Sequence, residues 1–144
     1  MSLRLVTCLT FCLVVLPSNV FAEKFVNAAG NYVGFMNLTK AKSFKGFNCT
    51  PTQSFPVSLV LSANGGKKLV GFLNNAPFQF KGKAKKKTVN LKGNFVDSQG
   101  IKRTLVLKGS KFNTSNPRFQ LTETLRQGKK KACQFKHSSD TTRF

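Results

Sequence analysis

Residues 78–95 read FQFKGKAKKKTVNLKGNF, and the phase of this stretch decides the fold. Phe78, Phe80, Gly82 and Ala84 fall on one side of an extended chain, with Gln79, Lys81, Lys83 and Lys85 on the other. That is period two, the signature of a strand buried on one face. After a turn at Lys86-Lys87 the alternation resumes with Val89, Leu91, Gly93 and Phe95 on the apolar side. An apolar residue, a lysine and a glycine recur together as Phe80-Lys81-Gly82, Leu91-Lys92-Gly93, Leu107-Lys108-Gly109 and Phe44-Lys45-Gly46. Glycine in a strand marks close approach or tight bending, and a small barrel needs both. The triplet therefore reads as a large-small packing device with its lysine pointing to water.

Working outward, the same alternation continues along the chain and no long stretch has a 3.6-residue apolar period. Strands are expected near 31–39, 55–62, 67–73, 77–85, 88–96, 101–109, 117–126 and 131–137. The fold class is all-β: about eight short antiparallel strands in a meander, forming a closed or nearly closed small barrel of calycin-like architecture, with a sandwich as the alternative. Asn64-Gly65 predicts a two-residue hairpin, since both positions of such a turn favour positive φ. Asp97-Ser98-Gln99-Gly100 fits a type I turn closed by a glycine bulge. That turn sets Phe95 opposite Arg103, Gly93 opposite Leu105 and Leu91 opposite Leu107. The Lys86-Lys87 turn sets Gly82 opposite Leu91, Phe80 opposite Gly93 and Phe78 opposite Phe95. Gly30-Asn31-Tyr32 resembles the glycine-x-aromatic opening of lipocalin-type barrels, with Tyr in place of the usual Trp. The resemblance covers three residues; it implies a barrel and carries no function.

The chain opens with Arg4, an apolar run over 5–16, Pro17 and the small-residue ending Val20-Phe21-Ala22. This is the pattern of a secretory signal peptide cleaved after Ala22. The apolar run falls short of the roughly 20 residues that span a bilayer. Export, to a periplasmic or extracellular location, is the expectation, with residues 23–144 as a single barrel domain. Of the four cysteines, Cys8 and Cys12 leave with the signal. Cys49 and Cys133 remain, and two cysteines in an exported chain are expected to pair. In an eight-strand meander their pairing requires that the first hairpin and the last strand meet, which closure, or the packing of the two ends of a sandwich, provides. Three glycosylation sequons begin at Asn37, Asn48 and Asn113 and matter only in a host that glycosylates exported chains.

Charge is the outlier. The chain carries 24 Lys plus Arg against 4 acids, a net +20. Such a charge repels itself and attracts polyanions. Lys81, Lys83, Lys85, Lys92, Lys102 and Lys108 fall on the outer phase of three consecutive strands, and form the candidate anion-binding face. The partner classes are an acidic glycan, an anionic lipid head group or an acidic protein surface. Nucleic acid is weakly supported, because there is no Trp, only one Tyr, and the phenylalanines beside the lysines are in the inward phase.

Catalytic chemistry is poorly provided for. Glu23, Asp97, Glu123 and Asp140 are the only acids and His137 the only histidine. Asp97 belongs to a turn, while Glu23 and Asp140 lie near the termini, where order is expected to be poor. No carboxylate pair, no zinc ligand set and no phosphate-cradling glycine loop emerges. A non-enzymatic protein without cofactor or metal is expected. One polar cluster stands apart: Arg103, Glu123 and His137 are in phase with interior residues. If Leu107 faces Leu121, then Leu105 faces Glu123, Arg103 faces Leu125, Phe135 faces Glu123 and His137 faces Leu121. Arg103 and Glu123 become diagonal neighbours. This interior polar patch supports an alternative function, a calycin-like carrier of a small apolar or weakly acidic ligand. A secreted inhibitor or adhesion module acting through exposed loops such as 111–116 is a further alternative.

Overall fold

The computed structural model describes residues 26–74 and 78–144. The predicted signal peptide, Met1 to Ala22, lies outside the described residues. The described chain forms eight antiparallel strands: β1 (Gly30–Ser43), β2 (Ser54–Ala63), β3 (Lys68–Leu73), β4 (Phe80–Ala84), β5 (Thr88–Val96), β6 (Lys102–Ser110), β7 (Arg118–Gln127) and β8 (Lys130–Arg143). They pair in chain order, and β8 returns to β1 to close the barrel. Closure rather than a sandwich is the outcome, and it leaves no free sheet edge.

The register derived from residues 78–125 holds. Gly82 is opposite Leu91. Leu91, Gly93 and Phe95 are opposite Leu107, Leu105 and Arg103, and Leu105 and Leu107 are opposite Glu123 and Leu121. Phe78 stacks on Phe95, ring centroids 4.6 Å apart. The Asp97 turn forms as expected: Gly100 takes φ 74°, and the Asp97 and Ile101 backbones close it at 3.1 Å. Three of the four triplets are interior packing devices. A Cβ on Gly82 would stand 2.0 Å from the Asn90 carbonyl oxygen, and one on Gly109 would meet Phe112, Phe119 and Val89 within 2.8 Å.

Four expectations need correction. Phe44-Lys45-Gly46 lies beyond β1, where Gly46 turns the chain at φ 85° with open space around it. The connection after β2 is longer than Asn64-Gly65: Asn64 pairs with Lys68, and the positive φ values fall on Gly65 and Gly66. The neighbour of Gly93 on its open side is Phe78 rather than Phe80. Asp140 is ordered within β8, which runs to Arg143 rather than ending near 137. There Ser139 and Thr141 face inward and are buried, so small polar residues continue the interior phase.

Loops at one end join β2 to β3, β4 to β5 and β6 to β7; those at the other join β1 to β2, β3 to β4, β5 to β6 and β7 to β8. The first, the closed end, is filled by Tyr32, Phe112 and Phe119, packed edge to face with centroids 5.1–6.1 Å apart. The segment before β1 straps across it. The Tyr32 hydroxyl donates to the Ala28 carbonyl at 2.7 Å, and the Val26 amide donates to the Lys85 carbonyl at 3.1 Å. Phe80, Leu91 and Leu107 fill the middle and are fully buried. Each such side chain is worth about 1.5–3 kcal/mol of apolar transfer.

Candidate functional site

Two regions carry chemistry: the basic outer surface of β4 to β7 and the open end, here the mouth, of the barrel. All six lysines of the predicted face, Lys81, Lys83, Lys85, Lys92, Lys102 and Lys108, are exposed. The pleat places them there, because their neighbours in sequence are the interior residues described above. Register sets like charges opposite one another: Lys81 faces Lys92, Lys68 faces Lys83 and Lys102 faces Arg126. Like charges in such positions destabilise a sheet. The three described acids do not relieve them, because each is taken by an arginine. Arg118 holds Asp140 at 2.7 and 3.3 Å, and Arg103 holds both Asp97 and Glu123 at 2.9 Å. The Arg118 hydrogen bond keeps the Asp140 carboxyl below its ordinary pKa, outweighing partial burial, and the Arg118 and Lys111 charges add to the effect.

The six lysines are not equivalent. Lys81 and Lys92 stand near the middle of the wall, and Lys102 is near the mouth. Lys85 and Lys108 line a depression of about 340 Å³ with Arg118. A second depression of about 440 Å³ at the closed-end rim is lined by Lys86, Lys87 and Lys111. In the sequence Lys86 and Lys87 belong to a turn, and no pattern marks Lys111 or Arg118 as ligand contacts. The pairing of β5 with β6, Thr88 opposite Ser110, brings the 111–117 loop beside the β4–β5 turn.

At the mouth, the predicted patch assembles in part. Arg103 and Glu123 meet, as their diagonal placement requires. Asp97 joins them as a third member, a role beyond the turn that its sequence position predicts. Its carboxylate accepts from the backbone amides of Gln99 and Ile101 at 3.0 Å and from Arg103 Nε at 2.9 Å. The Arg103 hydrogen bond is the main cause that lowers the Asp97 pKa, against a smaller opposing push from burial. His137 touches neither charge. It is buried, its ring lies edge-on to Phe55, and its Nε2 bonds the Thr52 carbonyl oxygen at 3.0 Å. Arg103, Glu123 and His137 line a cavity of about 360 Å³ whose remaining wall includes Phe47, Leu125 and Phe135. The loop over 44–53 covers one side of it. Cys49 and Cys133 lie at disulfide distance there, with Cα atoms 6.1 Å apart, within the range a disulfide needs. The β7–β8 register shifts between Leu125 and Arg126, so Ala132 and Cys133 are both buried and Cys133 faces the loop.

Among the described residues, no group of three His, Cys, Asp or Glu could hold a metal ion, and no helix is long and apolar enough to cross a membrane. No protein-family model, no curated protein and no solved structure matches the chain.

Proposed function

We propose that this is an exported, non-enzymatic protein that binds an anionic partner through its lysine-bearing wall. The observation that supports this reading is the uncompensated charge: lysines face lysines across β3, β4 and β5, while the described acids are held by arginines. A polyanion laid on that wall relieves repulsion that the folded chain otherwise carries, and it releases its own counterions on binding. Affinity then falls steeply as salt rises. The test is retention of residues 23–144 on heparin across a salt gradient, beside a lysine-rich control of matched net charge. Elution at clearly higher salt than the control supports the reading, and substitution of Lys81, Lys83, Lys85, Lys92, Lys102 and Lys108 by Gln should abolish the difference. Elution together with the control overturns it.

The mouth cavity supports a second reading, a carrier of a small ligand. Its size lies in the usual range for ligand pockets, and apolar walls with a few convergent polar groups are the usual composition. Arg103 already holds two carboxylates, so an acidic ligand would have to displace one of them. An apolar ligand bearing a neutral polar group suits the cavity better. A shift in the thermal midpoint with such ligands, lost on Phe135→Ala, would favour this reading.

A further inference from the structure

The closed-end rim carries more than scattered charge. The 340 Å³ and 440 Å³ depressions share Thr88 and Ser110 as lining residues, so they form one trough that runs from the outer wall over the rim. Lys85, Lys86, Lys87, Lys108, Lys111 and Arg118 line it. Asp140, held by Arg118, is the one described acid beside it.

Register gives the trough an ordered floor. Asn90 on β5 lies opposite Lys108 on β6, which lies opposite Gln120 on β7. In the adjacent row, Thr88 lies opposite Ser110, and Ser110 opposite Arg118. All six positions share the outward phase of their strands. One row therefore presents amide, ammonium, amide, and the other hydroxyl, hydroxyl, guanidinium, at the interstrand spacing of about 4.8 Å. Cations lie beside neutral groups that both donate and accept hydrogen bonds.

We infer that this trough is the binding site for a linear acidic polysaccharide, whose sulfate or carboxylate groups meet the cations while its hydroxyls meet Asn90, Gln120, Thr88 and Ser110. The inference rests on the polyanion reading above and assigns it a place and a ligand class. A nucleic acid would want exposed rings for its bases, and the aromatic residue of the trough, Phe112, is 5% exposed. A bilayer would want a convex surface with apolar tips. The large exposed apolar residues are Val33, Phe35, Val60, Phe72, Val96 and Phe144, and none of them lines the trough.

Two triple variants separate this site from charge in general. Lys85→Gln, Lys108→Gln and Lys111→Gln empty the trough of three cations; Lys81→Gln, Lys92→Gln and Lys102→Gln remove the same charge from the mid-wall and mouth. Binding is measured to size-defined heparin oligosaccharides, to inorganic polyphosphate, to single-stranded DNA and to vesicles of anionic phospholipid, all at one ionic strength. The trough triple should lose roughly tenfold or more in heparin affinity, and the other triple far less. Gln120→Ala with Asn90→Ala should weaken heparin binding and leave polyphosphate binding unchanged, which a purely electrostatic surface would not do. Equal losses in the two triples overturn the trough while leaving the polyanion reading intact. Tighter binding of vesicles or DNA than of heparin overturns the ligand class. Failure of the unaltered protein to bind any of the four overturns the polyanion reading itself.

Discussion

At the closed end, Tyr32, Phe112 and Phe119 interlock and the chain before β1 lies across them. At the mouth, an arginine between two carboxylates, a buried histidine and a loop tied to β8 surround a cavity. One barrel thus closes its two ends by different physics. The closed end is held by dry aromatic burial, which is strong and short-ranged. The mouth is held by the Cys49–Cys133 pair at disulfide distance and a part-buried ion network, which fix position while contributing little apolar burial. The difference implies that the closed end carries stability and the mouth carries adaptability.

The sharpest way to break this comparison is to remove one ring from each end. Phe119 is fully buried, so Phe119→Ala should cost about 4 kcal/mol. Phe55, half-buried and beside the mouth, should cost less than half as much on the same substitution. Urea unfolding reads both, and equal costs would show that the two ends are packed alike.

The tie at the mouth comes next. Replacing Cys49 and Cys133 by Ser should lower stability by roughly 3 kcal/mol. The loss should be local in its first expression. Hydrogen exchange should quicken over 38–43 and 131–137, where β1 and β8 pair near the loop, before it changes at Tyr32. Uniform quickening would mean that the tie secures the whole barrel rather than its mouth.

How much of this contrast the sequence discloses depends on which force writes it. From β4 to β7 the apolar residues alternate, the Asp97–Gly100 turn sets β5 against β6, and placing Leu107 opposite Leu121 carries the register to the Arg103–Glu123 contact. The far half of β8 does not announce itself, because His137, Ser139 and Thr141 occupy its interior phase and hydrophobic alternation gives no sign of them. β1 hides its length for a related reason: the register with β8 shifts between Leu38 and Lys40, which breaks period two. The mouth loop has no periodicity at all; its place is set by Cys49 and by Phe47 packing against the residues around Cys133. The cationic trough is legible only once β5, β6 and β7 are paired, since Lys111 and Lys86 are neighbours across strand ends rather than along the chain.

Smaller effects should distinguish the ion pairs of the two ends. Glu123→Gln keeps an acceptor for Arg103 but removes the charge. Because Arg103 is partly exposed, the cost should be only about 0.5 kcal/mol, reduced further by salt. Acid should act at both ends. Asp97 and Asp140 both have folded pKa values below their unfolded ones. Their contribution is present above the unfolded value of about 3.9 and is lost as pH falls through the lower folded values. Asp97→Asn and Asp140→Asn should each flatten the acid limb of a stability profile, and an unchanged limb in both would remove these pairs from the account.

Alkali should act at the closed end through Tyr32, and there the effect can be seen directly because Tyr32 is the only tyrosine in a chain without tryptophan. Burial raises its pKa above the ordinary 10.0, with the Arg143 charge opposing in part. A folded pKa above the unfolded one means that the protonated phenol is favoured by folding. The corresponding stability is fully present below about pH 10 and is lost as pH rises through the higher folded value. Deprotonation also removes the hydrogen bond to Ala28, so the strap before β1 should loosen over the same pH range. Absorbance titration of the phenol should give a midpoint above 10 in the native protein that drops to the ordinary value in urea. Loss of the Cys49–Cys133 tie should leave that native midpoint unchanged if the two ends are independent. A midpoint that falls on reduction would show instead that the mouth and the aromatic plug are coupled through β1 and β8, and that the division between them is one of degree.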